Sequence, residues 1–225
     1  MLAGVSPDYY ARLEQGRATN VSEQVINAVA GALHLDDLER RHLSVLLSGH
    51  PPPARPTRVR RELRTMVAAL DPVPAMLHGP RFEVLAINRS ARALIHDFEA
   101  VPESERNLIR WVFTDPAARA VYPDWTEVAE QLVAALRLTA EPDDAVVAEL
   151  SSLSPAFTRI WSDHRVSRHS HGPKRFRHAA VGDLTLNYET MELADDSGLA
   201  LTLYTADPGS PSAERLAALW QSIDR

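Results

Sequence analysis

The sequence predicts an all-α segment over residues 1–48 followed by a larger α+β domain in which helices cover an antiparallel sheet. Three observations predict it. A short, sharply capped helix behind a glycine turn opens the chain. A proline-rich stretch, Gly49 to Pro56, then interrupts it. Beyond that stretch, strand patterns stand at both ends and helical patterns fill the middle, which implies one sheet closed by distant segments.

The opening stretch runs Ala3-Gly4-Val5-Ser6-Pro7-Asp8-Tyr9-Tyr10-Ala11-Arg12-Leu13-Glu14-Gln15-Gly16-Arg17. Gly4 allows a tight turn, Ser6 suits an N-cap, and Pro7 suits the first helical position. The helix is expected to bury Tyr10 and Leu13 and to present Asp8, Tyr9, Arg12 and Gln15, with Gly16 ending it. A capped helix with a polar outer stripe behind a glycine turn is how a helix-turn-helix protein offers its recognition helix to the major groove. These residues resemble the turn and recognition helix of the Xre (Cro-like) family of repressors. The resemblance implies contacts from Asp8, Tyr9, Arg12, Gln15 and Arg17 to double-stranded operator DNA. Only Met1 and Leu2 precede Ala3, where an Xre domain has a first helix and most of a second, so it also implies a truncated DNA-binding domain.

Composition narrows the function classes. With 225 residues, 45% hydrophobic and 24% charged, the chain has room for one large domain or two smaller ones. No run approaches the eighteen or so apolar residues of a membrane span, and no signal peptide precedes the turn motif. The absence of cysteine excludes disulfides, thiol nucleophiles and cysteine metal sites, and is compatible with a cytoplasmic protein. A net charge of −6 argues against a protein that coats nucleic acid, but local charge can still read an operator.

Ser22 opens a second helix through Val25, Ile26, Val29, Ala30 and Leu33, and Leu38 to Leu47 form another. Residues 49–57 read as a semi-rigid linker, and residues 58–225 as a linker helix and a second domain. The arginines at 55, 58, 60, 61 and 64 read better as a solvated helix face than as a phosphate patch; Val59, Leu63, Met66, Val67 and Leu70 form the inner side. Ala75–His78 and Arg81–Ile87 form a hairpin with Phe82, Val84 and Ala86 on one face, and Asn88 caps a helix to Ile95. Helices are expected over 103–113, 125–140, 143–152 and 155–164, strands over 174–178, 184–193 and 199–205, and a final helix from Ser210 or Ser212 with Leu216, Leu219 and Trp220 inward.

A hairpin leading into a capped helix is how PAS-like sensor domains begin. The second domain resembles the ligand-binding domain of MmyB-like transcription regulators. The likeness rests on Val84-Leu85-Ala86-Ile87-Asn88-Arg89-Ser90-Ala91, Glu105-Arg106-Asn107-Leu108, Tyr122-Pro123-Asp124-Trp125 and Phe157-Thr158-Arg159-Ile160-Trp161. It continues through Lys174-Arg175-Phe176-Arg177-His178, Val181-Gly182-Asp183-Leu184 and Tyr204-Thr205-Ala206-Asp207-Pro208-Gly209-Ser210. The resemblance implies a PAS-like sensor for a fatty-acid-like molecule, fused to an Xre domain.

Such a domain can enclose an apolar pocket with a few orienting polar groups. Arg106 and Asn107 are the first candidates, since a guanidinium can grip a carboxylate bidentately. Trp111 and Trp125 supply apolar walls, and His178 and Tyr188 are further polar candidates on strands. The segment His164-Arg165-Val166-Ser167-Arg168-His169-Ser170-His171, with His178, reads as an exposed basic loop rather than a metal site, because Arg165, Arg168, Lys174 and Arg175 would repel a cation. The chain carries no nucleophile elbow, phosphate-cradling loop or zinc-protease helix, and Asp143-Asp144 and Asp195-Asp196 suit caps and turns. The expectation is a non-enzymatic, cytoplasmic, homodimeric DNA-binding regulator that senses a small apolar acid, without a metal, a membrane contact or a cofactor other than a bound fatty acid. The alternative is a ligand-binding or dimerisation module that has lost DNA binding.

Overall fold

The computed structural model describes residues 7–15, 18, 21–35, 39, 40, 43, 47, 59–140, 143–163, 170–193 and 198–223. The Gly4 turn, Gly16, Arg17, the linker at 49–57, residues 164–169 and the turn at 195–197 lie outside them. The chain divides into two compact units, a smaller one over Met1–Arg55 and a larger one that begins at Pro56.

In the smaller unit, α1 (Pro7–Glu14) turns Leu13 inward and leaves Asp8, Arg12 and Gln15 exposed. Tyr10, expected in the core, is only half-buried; its hydroxyl is hydrogen-bonded to Glu14, which holds it above the ordinary tyrosine value. The next helix, α2 (Glu23–Ala32), is capped by Ser22, whose side chain accepts from Val25 N. It buries Ile26, Val29 and Ala30, residues three and four apart on one face. Residues 39, 40, 43 and 47 are helical as well.

The larger unit is built on a five-stranded antiparallel sheet in the order β2-β1-β5-β4-β3. Its strands are β1 (Ala75–His78), β2 (Val84–Ile87), β3 (His171–His178), β4 (Gly182–Glu192) and β5 (Ala200–Thr205). The first hairpin and the last strand are therefore neighbours, with Met76 opposite Thr202 and Leu77 opposite Leu201. Between β2 and β3 lie α4 (Arg89–Leu94), α5 (Leu108–Thr114), α6 (Ala117–Val121), α7 (Trp125–Arg137), α8 (Ala145–Leu153) and α9 (Pro155–Trp161). A preceding helix, α3 (Arg61–Ala69), and a final one, α10 (Pro211–Ile223), complete the unit. This is the PAS-like α+β arrangement expected from the sequence.

Strand alternation divides the sheet into two faces. Met76, Phe176, Leu184, Leu186, Tyr188 and Tyr204 share one buried core with α5, α7 and α9. Ala75, Leu77, Leu199 and Leu201 face the other way and are covered by Val59, Leu63 and Val67 of the α3 segment. Met66, expected on the inner side of that helix, is 39% exposed. On the helix side a polar ladder crosses three strands: Thr190 and Thr202 share a hydroxyl contact of 2.9 Å, and Thr202 Oγ1 lies 3.3 Å from His78 Nε2. Burial pushes the His78 imidazole below its ordinary value, so it is neutral at pH 7.

Several boundaries differ from the sequence reading. Phe82 lies in the turn before β2, with a φ of 62°, yet it is buried with Val84 in the helix-side core as expected; Ala86 is only half-buried, and Ile87 joins that core instead. The helix expected over 103–113 is two pieces, a single 3-10 turn at Glu103–Glu105 and α5, because Arg106 leaves helical geometry after the first and Asn107 caps the second. Pro116 opens α6, which the periodicity did not reveal. β3 starts at His171, three residues before the expected 174.

Asn88 links strand to helix. Its Oδ1 accepts from Ala75 N and Ala91 N, both at 3.0 Å, and its Nδ2 donates to Val73 O at 2.7 Å. Asn88→Ala removes all three bonds and leaves buried backbone groups without partners, so it should lower unfolding stability by about 3 kcal/mol. Urea titration followed by circular dichroism would measure the loss.

Candidate functional site

The core between sheet and helices is organised around a continuous file of rings. His96 stacks on Trp111 of α5 with centroids 5.1 Å apart. Trp111 meets Tyr122 at 6.0 Å, and Tyr122 meets Phe176 of β3 at 5.4 Å. Phe176 then packs edge-on to Tyr204 of β5 at 5.4 Å, and Tyr204 lies 6.4 Å from Tyr188 of β4. Lys174 ends the file, its Nζ 4.3 Å from the centre of the Tyr188 ring. The file therefore runs from the helical layer to the sheet and finishes at a cation.

Each polar group along this file is shaped by burial. Trp111 Nε1 is buried with no hydrogen-bond partner among the described residues. Desolvation raises the Tyr122 hydroxyl well above its ordinary value, and the nearby Tyr204 adds to the effect. Tyr204 is raised for the same reason, with Tyr188 contributing, and Tyr188 is pushed up to about 12. All three phenols are neutral at pH 7 and can donate hydrogen bonds. Lys174 keeps some surface, but burial of its amine lowers its pKa to about 8, against a smaller opposing effect from Glu127.

The structure distributes the residues singled out in the sequence. Trp111, next to His96, and Tyr188, next to Lys174, both lie in the file. Asn107 is buried at the start of α5; its Oδ1 accepts from Arg110 N at 2.9 Å and its Nδ2 donates to Arg81 O at 2.8 Å. Arg106 donates through Nε to Val101 O at 2.9 Å and through Nη2 to Glu99 O at 3.3 Å, so its guanidinium holds the loop before α5. Trp125 donates its Nε1 to Val112 O at 2.9 Å and packs beneath the Arg119 guanidinium, next to Phe113 rather than in the file. His178 is at the far end of β3, where its Nδ1 accepts from Ala180 N at 3.2 Å. Of the histidine segment, residues 164–169 are outside the described residues; no group of metal-holding side chains is found among those described. Lys174, Tyr122 and Tyr204 were missed as candidates.

In the smaller unit, the 100° advance per helical residue puts Asp8, Arg12 and Gln15 in one stripe, with Tyr9 at its border and Leu13 opposite. All three stripe residues are exposed on α1. Arg17 lies outside the described residues.

Residues 59–219 match the family model of the MmyB-like transcription regulator ligand binding domain. The chain belongs to that family. Residues 1–43 match a helix-turn-helix domain. Comparison with curated proteins finds no match. A helix-turn-helix joined to an MmyB-like ligand-binding domain makes the chain a ligand-responsive transcription regulator, and both families are binding domains rather than enzymes. No helix among the described residues is long and apolar enough to cross a membrane.

Lys174 gives the regulator a defined pH signature. Its folded pKa of about 8 lies below the unfolded value of 10.5, so between those values the unfolded chain binds more protons and stability rises with pH. The gain is ~3 kcal/mol at most. Above about pH 10 the buried tyrosines oppose it, because their folded values are raised and the unfolded chain loses protons first. Urea midpoints of the ligand-free protein should therefore climb from pH 8 to pH 10 and then fall, and Lys174→Met should flatten the climb.

Proposed function

We propose that this regulator senses a small apolar acid of the fatty-acid type. The single observation that supports this reading is the aromatic file, a run of six rings, five of them buried, that ends at an ammonium group. Rings of this kind receive an alkyl chain, and a small number of polar groups orient its head. The unpartnered Trp111 Nε1 is one such group. Trp111 and Tyr188 would contact the ligand, Asn107 would hold Trp111 in place by fixing the start of α5, and Trp125 would support the wall from behind. Arg106, fastened to Val101 and Glu99, and His178, on the hairpin, would have secondary roles.

On the DNA side, the reading is an Xre-type repressor fold that acts in the cytoplasm on double-stranded operator DNA. The exposed stripe of Asp8, Arg12 and Gln15, with Tyr9 beside it, supports base and phosphate contact, and Arg17 would extend the basic end. A single short helix covers too few base pairs for specificity, so the functional form would be a homodimer on two half-sites. Ligand would act through a different affinity for the DNA-competent arrangement.

Two measurements test these halves separately. Native mass spectrometry of the full chain, purified from a bacterial host without delipidation, should show a bound species of fatty-acid mass. A bare protein that also takes up no added dodecanoate would overturn the sensor reading. For the DNA half, an operator recovered by selection from random duplexes should bind Arg12→Ala at least tenfold more weakly than wild type. Equal affinities in a fluorescence-anisotropy titration would remove Arg12 from the interface.

A further inference from the structure

We propose that His78 is an acid-sensitive latch: protonation of its imidazole frees the turn Gly79–Glu83 from the end of β1 and so releases the helical layer from the sheet. The device acts on the ligand-free protein and does not depend on the ligand reading.

The turn is where the two layers are joined, and its carbonyls from Gly79 to Phe82 all accept hydrogen bonds. Gly79 O accepts from Phe82 N at 3.0 Å, and Pro80 O accepts from the hydroxyl of Thr139, just beyond α7, at 2.8 Å. Arg81 O accepts from Asn107 Nδ2 at 2.8 Å, and Phe82 O accepts from Leu108 N at 2.9 Å. The Arg81 side chain pairs with Asp144, the cap of α8. Helices α5, α7 and α8 are thus all tied to this one turn. His78 fastens the turn to the sheet: its Nδ1 lies 3.0 Å from Gly79 O, and its ring stacks on Phe82 with centroids 5.2 Å apart. Phe82 holds a φ of 62°, a conformation that a large side chain keeps only with support from its surroundings.

The ladder behind the ring requires its neutral form. With Nδ1 donating to Gly79 O, Nε2 accepts from Thr202 Oγ1 at 3.3 Å, and Thr190 Oγ1 stands 2.9 Å beyond. Protonation turns Nε2 into a donor, which reverses the ladder and leaves a whole positive charge in a buried site. No charged group among the described residues offsets it. β2 has no titratable side chain, and β5 has only Tyr204, which is neutral. In the turn, the Glu83 carboxylate accepts from Arg81 N at 3.0 Å, and Arg81 is paired with Asp144. Arg110 of α5 and Glu149 of α8 pair with each other at 2.6 Å. Asp183, Tyr188, Glu189 and Glu192 of β4, and Glu127, Glu130 and Arg137 of α7, do not act on the imidazole; burial lowers its proton affinity and the Gly79 carbonyl opposes this. The folded ring therefore binds a proton less readily than the unfolded one, so stability is complete above about pH 6.5 and falls as pH drops toward the folded value. Opening the turn alone relieves the penalty, because β4 and β5 keep their own ladder.

The test follows amide hydrogen exchange by NMR on the full, delipidated chain between pH 7 and pH 5, with rates corrected for the intrinsic pH dependence of exchange. The reporters are Leu108 N, Val84 N, which donates to Arg106 O at 2.7 Å, and the amides of the β4–β5 ladder. In wild type, exchange at Leu108 and Val84 should quicken about tenfold over this range, while the β4–β5 amides hold their rates. In His78→Gln, whose amide can still donate to Gly79 O but takes up no proton, the junction amides should exchange at a rate independent of pH. Junction amides that ignore pH in wild type, or that quicken equally in both proteins, would overturn the latch, as would equal quickening across the whole sheet. A nitrogen-15 titration of the His78 ring in wild type decides the matter if the variant fails to fold. Protonation with the same midpoint as the opening supports the latch, and a midpoint more than about one pH unit away overturns it.

Discussion

The helical layer is fastened to the sheet at Asn107, and the candidate site depends on that junction. Residues 106–108 dock beside the turn leading into β2: Val84 N donates to Arg106 O at 2.7 Å, and Leu108 N donates to Phe82 O at 2.9 Å. Asn107 adds its side-chain bonds to Arg81 O and Arg110 N at the same place. The junction ends one helical turn and begins another, so the direction of α5 is set by strand geometry. Trp111 lies one turn further along α5, and its ring therefore reaches the sheet-side aromatics through Tyr122. A second tie joins the same turn to α8, where Arg81 pairs with the fully buried carboxylate of Asp144, which also caps that helix. Removing one member of such a buried pair leaves an uncompensated charge, which makes the tie a strong positional constraint.

The sheet beneath this layer has two buried faces, and the same strands serve both. Met76 of β1 belongs to the helix-side core, while its neighbours Ala75 and Leu77 pack with Val59, Leu63 and Val67 of the α3 segment. β5 divides in the same way between Tyr204 and Leu201. A ligand on one face is thus separated from α3 by a single layer of strand. Close-packed interiors transmit small displacements rather than absorbing them, so under the proposed reading a ligand among the rings would bear on the placement of α3 through the shared sheet.

Much of this was legible in the sequence, for reasons that can be traced to particular residues. Ser22 and Asn88 were readable as caps because their side chains act on backbone groups within three residues. The PAS-like arrangement was readable because strand patterns at both ends of a domain have few ways to close into one sheet. Trp111 and Tyr188 are legible as core rings, because large amphipathic aromatics in a domain of this size are mostly buried. The chemistry of Arg106 alone suggests a carboxylate grip; its carbonyl partners, Val101 and Glu99, come from a loop conformation that no local pattern encodes. Lys174 was overlooked because it stands among basic residues and reads as solvated. The signal was present in the alternation, since Lys174 shares parity with the buried Phe176, but which face of an edge strand is covered depends on helices forty or more residues away.

The central claim is that an apolar acid in the larger unit controls DNA binding by the smaller one. The most direct measurement is operator affinity of the wild-type protein with and without saturating dodecanoate, using a duplex obtained by selection and occupancy verified by native mass spectrometry. The account predicts a change of several-fold or more in operator affinity, matched by an equal change in dodecanoate affinity when operator is present, as linkage requires. Identical operator affinities for the ligand-free and fully occupied protein would contradict it.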